Sequence, residues 1–123
     1  GDFQPANILL DDTKIWLIDW EYGAERQSVY DLLTLACNTR HPAGLADRLL
    51  QFERDISTFS NDLPERWPGM QFDSIPGRHR SAAILLLEEL QLRLREISNP
   101  LFRSAGSGFI QLQHEIDRWL KQT

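Results

Sequence analysis

Cysteine is almost missing from this 123-residue chain, and the single thiol, Cys37, excludes an internal disulfide framework. Long apolar runs are missing as well. The longest, Ala82 to Leu87, is far too short to cross a membrane, and nothing in the chain reads as a signal segment. Positive charge is in deficit, with 13 Lys and Arg against 18 Asp and Glu and a formal net charge of -5. A phosphate-backbone partner calls for a basic face, so nucleic acid is not an expected partner. His41, His79 and His114 are the only histidines, far apart and without Cys or His at metal-ligand spacing, which argues against a zinc site. Internal repeats and low-complexity tracts are also lacking. The single cysteine and the lack of a signal-like segment together give a cytoplasmic expectation.

What is present fits an ordinary globular protein: 41% hydrophobic and 25% charged residues leave neither the disordered nor the membrane class open. The chain opens on Gly1-Asp2-Phe3, directly before a strand-like segment and with no capping or linker residues, and so reads as cut from something longer.

Ile8 to Leu10 and Lys14 to Ile18 are short apolar runs around Asp11-Asp12-Thr13, which predicts a β-hairpin with Asp11 and Asp12 as turn residues. From Val29 onward Leu32, Leu33 and Ala36 keep helical spacing up to Pro42. Leu45, Leu49, Phe52, Ile56 and Phe59 then form one stripe. Residues 61–77 hold Pro64, Pro68, Gly69, Pro76 and Gly77 and read as a loop. A third helix is predicted from Arg78 or Ser81 to about Ser98, with Ala83, Leu87, Leu90, Leu94 and Ile97 inward and Glu88, Glu89, Arg93, Arg95 and Glu96 mostly outward. After Pro100 and the flexible run from Ser104 to Gly108, a last helix carries Phe109, Leu112, Ile116, Trp119 and Leu120. The expected fold is α+β, mostly α: a small hairpin followed by a helical bundle.

The chemistry concentrates in the first 21 residues. Asp2 is followed five positions later by Asn7, with Pro5 between, and the hairpin then delivers Asp19 in Ile18-Asp19-Trp20-Glu21. Phosphoryl transfer needs a carboxylate to orient the attacking hydroxyl and accept its proton, beside oxygen ligands for a magnesium ion on the nucleotide phosphates. A short loop can hold Asp2 and Asn7 on one side while the hairpin returns Asp19 toward them.

Gly1 to Leu10 resembles the catalytic loop of the aminoglycoside phosphotransferases and their choline, thiamine and homoserine kinase relatives, usually His-Gly-Asp followed by Pro-x-Asn. Ile18-Asp19-Trp20-Glu21-Tyr22 resembles the metal-binding segment of that family, and Tyr30-Asp31-Leu32 its next helix. The resemblance covers residues 1 to about 36. It implies a C-lobe of the protein kinase-like fold, with Asp2 as catalytic base, Asn7 and Asp19 as nucleotide-side magnesium ligands, and Asp31 bracing the catalytic loop. It also implies ATP and magnesium as cofactors and a small-molecule hydroxyl as acceptor. Residues 37–123 would be the helical substrate-binding part of the same lobe. The family's ATP-clamping N-terminal lobe, with its glycine-rich loop and lysine, would lie upstream of Gly1, leaving these residues alone inactive. A non-catalytic pseudokinase or helical binding module is the alternative, and intact Asp2, Asn7 and Asp19 weigh against it.

Glu21 reads equally as a further metal or substrate contact and as a strand-end carboxylate. Trp16 and Trp20 read as core, and Trp67 is open between core and ligand. Arg78, His79 and Arg80 read as a solvated helix start, Glu53, Asp55, Asp62 and Glu65 as a wet face, and Cys37 as a small buried hydrophobe.

Overall fold

The computed structural model describes residues 7–18, 30–58, 72, 74–98 and 106–123. Its elements are β1 (Ile8–Leu10), β2 (Ile15–Leu17), α1 (Tyr30–Cys37), α2 (Leu45–Arg54), a 3₁₀ turn (Ile56–Thr58), α3 (Ile75–Ser98) and α4 (Gly106–Leu120). The mostly helical α+β expectation holds: a two-stranded antiparallel hairpin precedes helices that share one core.

That core draws Tyr30, Leu33 and Cys37 from α1, Leu45, Leu49 and Phe52 from α2, Ala82 and Leu85 from α3, and Leu112 and Trp119 from α4. Phe72 joins it and meets Phe52 edge to face, ring centroids 5.8 Å apart. Helix α1 ends at Asn38, which adopts a left-handed φ of 48°, while Thr39 N–H donates to Thr34 C=O at 3.2 Å. Asparagine tolerates that conformation better than most residues, which is why the helix can turn there without glycine.

Several expectations need correction. Helix α3 starts at Ile75, ahead of Arg78, and so takes in Pro76 and Gly77. A proline needs no N–H partner in a first turn, and the Ser74 hydroxyl accepts from Gly77 N–H at 3.2 Å. Likewise α4 begins at Gly106, so Gly106-Ser107-Gly108 form its first turn rather than a connector. Helix α2 stops at Arg54; Asp55 is extended and its carboxylate accepts from Ser57 N–H and Oγ–H, passing the stripe to the 3₁₀ turn.

The buried face of α3 is also not the expected one. Arg78, Ala82, Leu85, Leu86, Glu89 and Leu92 face inward, whereas Leu87, Leu94 and Ile97 are exposed. The helix is apolar over a wide arc, and the side chosen is the one that brings Glu89 to donors on α1 and Arg78 to the end of α2. Glu53 and Arg78, expected in solvent, are buried.

Side chains from other helices close both ends of α2. At its N-terminus, where Gly44 offers no side chain, Glu115 of α4 accepts from Gly44 N–H at 3.1 Å and Ala46 N–H at 2.9 Å. At its C-terminus Arg78 Nε donates to Glu53 C=O at 2.7 Å. Arg48 in turn donates to the carbonyls of Cys37, at 2.6 Å, and His41, at 2.5 Å, and so ties α2 to the end of α1. Each contact satisfies groups that a helix end leaves open and places charge of the sign the helix dipole favours.

Burial pulls the Glu115 carboxyl upward, but the N–H groups of Ala46 and Gly44 and the Arg118 guanidinium outweigh it and hold it below the ordinary glutamate range. A depressed acid contributes stability above its unfolded value, about pH 4.3, and loses it as pH falls through the folded one. Glu115→Gln should therefore cost about 1–3 kcal/mol at neutral pH, and denaturant titrations should show that gap narrowing toward about pH 3. A gap that stays constant with pH would detach Glu115 from the cap.

Candidate functional site

The hairpin is the part of the described structure that carries candidate chemistry. Its register pairs Ile8 with Leu17, Leu9 with Trp16 and Leu10 with Ile15. Asp11 closes the turn: its Oδ1 accepts from Thr13 N–H at 3.0 Å and from Thr13 Oγ–H at 3.3 Å, and its own N–H donates to Lys14 C=O at 3.0 Å. The Thr13 N–H holds the Asp11 carboxyl below its ordinary value, so this aspartate serves the turn, as its sequence position implied.

At the open end, Ile18 N–H donates to Asn7 C=O at 3.0 Å, which extends the pairing one step beyond the strands. Asn7 is buried there, 8% exposed. The return strand thus ends beside Asn7, and Asp19 is one peptide bond further on. Asp2, Asp19 and Glu21 lie outside the described residues, as do Trp20, Asp62, Glu65 and Trp67. Asp31 occupies the first turn of α1 with an exposed side chain, where a carboxylate suits the helix dipole. Residues 1–6 of the loop it was expected to brace lie outside the described residues.

Trp16 is not core. It is 51% exposed beneath the Lys14 ammonium, which sits 5.7 Å from the ring centroid, and Leu10 and Ile15 are more exposed still. Because successive strand residues point to opposite faces, both faces of the hairpin are apolar and open. A strand that is apolar on both sides belongs to a sheet covered on both sides, a signal the sequence contained in Ile15-Trp16-Leu17-Ile18.

Within the bundle, sequence reasoning missed two polar clusters built on glutamates assigned to the surface. Glu89, 1% exposed, accepts from Tyr30 Oη–H at 2.5 Å and Thr39 Oγ–H at 3.1 Å through the same oxygen. Glu53, 6% exposed, accepts from Trp119 Nε1–H at 2.6 Å and pairs with His79 Nδ1 at 3.2 Å. His79 also stacks on Trp119, centroids 4.7 Å apart and planes 15° from parallel. The available signal was positional: Glu89 falls three and four residues from Leu86, Leu85 and Leu92, all buried. Beside the Glu53 cluster opens a cleft of about 470 Å³ between α2, the start of α3 and residues 122 and 123.

Cys37 is fully buried, and burial pushes its thiol up to about 12 despite the nearby Arg48 charge. It is therefore a packing residue and no nucleophile. Among the described residues no three His, Cys, Asp or Glu side chains gather as a metal-binding group, and no helix is long and apolar enough to cross a membrane.

The Glu89 cluster makes a measurable claim. Tyr30→Phe should cost about 1–3 kcal/mol, and its double-mutant cycle with Glu89→Gln should return a coupling of about 0.5–3 kcal/mol in urea unfolding. Additive losses would mean that the two side chains do not meet.

Comparison with protein-family models, with curated proteins and with solved structures finds no match to this chain.

Proposed function

We propose that the chain supplies the catalytic loop and metal-binding hairpin of an ATP- and magnesium-dependent phosphotransferase acting on a hydroxyl of a small molecule. The observation that supports this reading is the Ile18 N–H to Asn7 C=O hydrogen bond. It brings the chain back beside Asn7 one residue before Asp19, the return that the order Asp2, Asn7, hairpin, Asp19 calls for. In this reading the ligand that Asn7 gives is its side-chain amide oxygen, a hard donor of the kind magnesium takes.

In this reading Asp2 orients the acceptor hydroxyl and takes its proton. The hydroxyl oxygen bonds to the γ-phosphorus of ATP as the bond to the β,γ-bridging oxygen breaks, and ADP leaves. Asn7 and Asp19 would hold magnesium, whose role when bound is to screen the phosphate charge. Asp31 acts on the loop from outside it, and Glu21 stands next to the ligand set. The acceptor belongs to the aminoglycoside, amino-alcohol or sugar-like class. Both oxygens of Glu53 are already engaged within the bundle, on Trp119 and His79.

Two substitutions, assayed in the natural polypeptide that contains these residues, test the roles. Asp2→Asn should lower kcat by about 10²–10⁴-fold with nucleotide affinity little changed; near-normal turnover would remove Asp2 from the mechanism. Asp19→Ala should raise the magnesium requirement and weaken ATP binding far more than Asp12→Ala, which alters only an exposed turn residue. Equal effects would mean that the hairpin does not carry the metal.

A further inference from the structure

We infer that the cleft between α2, the start of α3 and the residues after α4 is a binding site for a small organic anion, a carboxylate on a short aliphatic body. The inference does not depend on the phosphotransferase reading. The cleft, about 470 Å³, has Leu50 and Ile75 as apolar walls and Glu53, Arg54, His79 and Gln122 as polar ones.

The donor and acceptor balance of those polar groups points to the ligand. Both oxygens of Glu53 are spent inside the protein, Oε1 on Trp119 Nε1–H and Oε2 on His79 Nδ1–H. A carboxylate only accepts, so the His79 proton sits on Nδ1. With that nitrogen bonded and one ring face stacked on Trp119, the imidazole is held in place and Nε2 is its unspent atom.

Arg54 is exposed at the C-terminal end of α2, and among the described residues its guanidinium makes no hydrogen bond or ion pair. The acids of the adjoining hollow make no ion pair with it among the described residues: Asp47 is held by Arg118 at 2.9 Å, and Asp55 accepts from the Ser57 hydroxyl at 2.6 Å. Among the described residues the Arg54 fork is thus the open charged donor of the cleft, with the Gln122 side-chain amide able to donate beside it and His79 Nε2 as a neutral acceptor. A ligand that meets the Arg54 cation brings negatively charged acceptors. A carboxylate takes an arginine fork through two parallel hydrogen bonds, and a short hydrocarbon chain lies against Leu50 and Ile75.

Proton–nitrogen correlation spectra of the chain, titrated separately with hexanoate, hexylammonium and hexanol, test the site. Hexanoate should shift the Trp119 indole N–H and the Arg54 Nε–H saturably in the millimolar range. Hexanol and hexylammonium should each bind at least about tenfold more weakly, because they offer the fork no carboxylate. Arg54→Gln changes an exposed side chain without a partner among the described residues, so the variant should keep a dispersed spectrum while losing about tenfold or more in hexanoate affinity. An indole signal that hexanoate leaves in place, hexylammonium or hexanol binding as tightly as hexanoate, or unchanged affinity in a folded Arg54→Gln would each overturn the inference.

Discussion

A carboxylate removed from water must find donors, and that requirement organises the helical part of this protein. Each of α2, α3 and α4 contributes one buried glutamate, and each of these receives donors from other elements. Glu89 on α3 takes hydroxyls from α1 and from the turn after it, Glu53 on α2 takes the Trp119 indole of α4, and Glu115 on α4 takes the first amides of α2. Apolar side chains alone tolerate small slips between helices. A buried acceptor does not, because a helix shifted by one residue would strand it at a cost of about 1–3 kcal/mol.

The arginines extend the same principle to the helix ends. Arg48 and Arg78 donate to carbonyls at the ends of α1 and α2, and Glu115 accepts at the start of α2, so the short helix α2 is closed at both termini by its neighbours. A ten-residue helix is marginal on its own. Here it owes its ends to α3 and α4. Arg54, which has no such partner among the described residues, stands out against that background.

Much of this was legible in the sequence, and the failures share a cause. The hairpin, its Asp11 turn, α1 and the start of α2 followed from alternation, turn residues and helical spacing. What went wrong came from sorting residues by polarity alone. Glu53, Glu89 and Arg78 were assigned to solvent because charged residues usually are, yet each is buried where partners distant in sequence meet it, and no spacing rule reveals a partner 59 or 66 residues away. Pro76 and Gly77 looked like breakers because Ser74, which caps the turn containing them, was counted as part of a loop. Trp16 looked like core because aromatic strand residues usually pack inward, but the hairpin is apolar on both faces and the bundle covers neither. At the candidate site, the motif order in the first 21 residues supplied the proposed chemistry, and the structure adds the pairing of Ile18 with Asn7.

That pairing is where the functional reading can be tested most directly. If the mouth of the hairpin holds metal and nucleotide, manganese and ATP added to the natural polypeptide should broaden the Asn7 side-chain amide and the Ile18 backbone amide first, with the effect falling along the hairpin toward Thr13. Broadening centred on any other part of the chain, with Asn7 and Ile18 left sharp, would contradict the account.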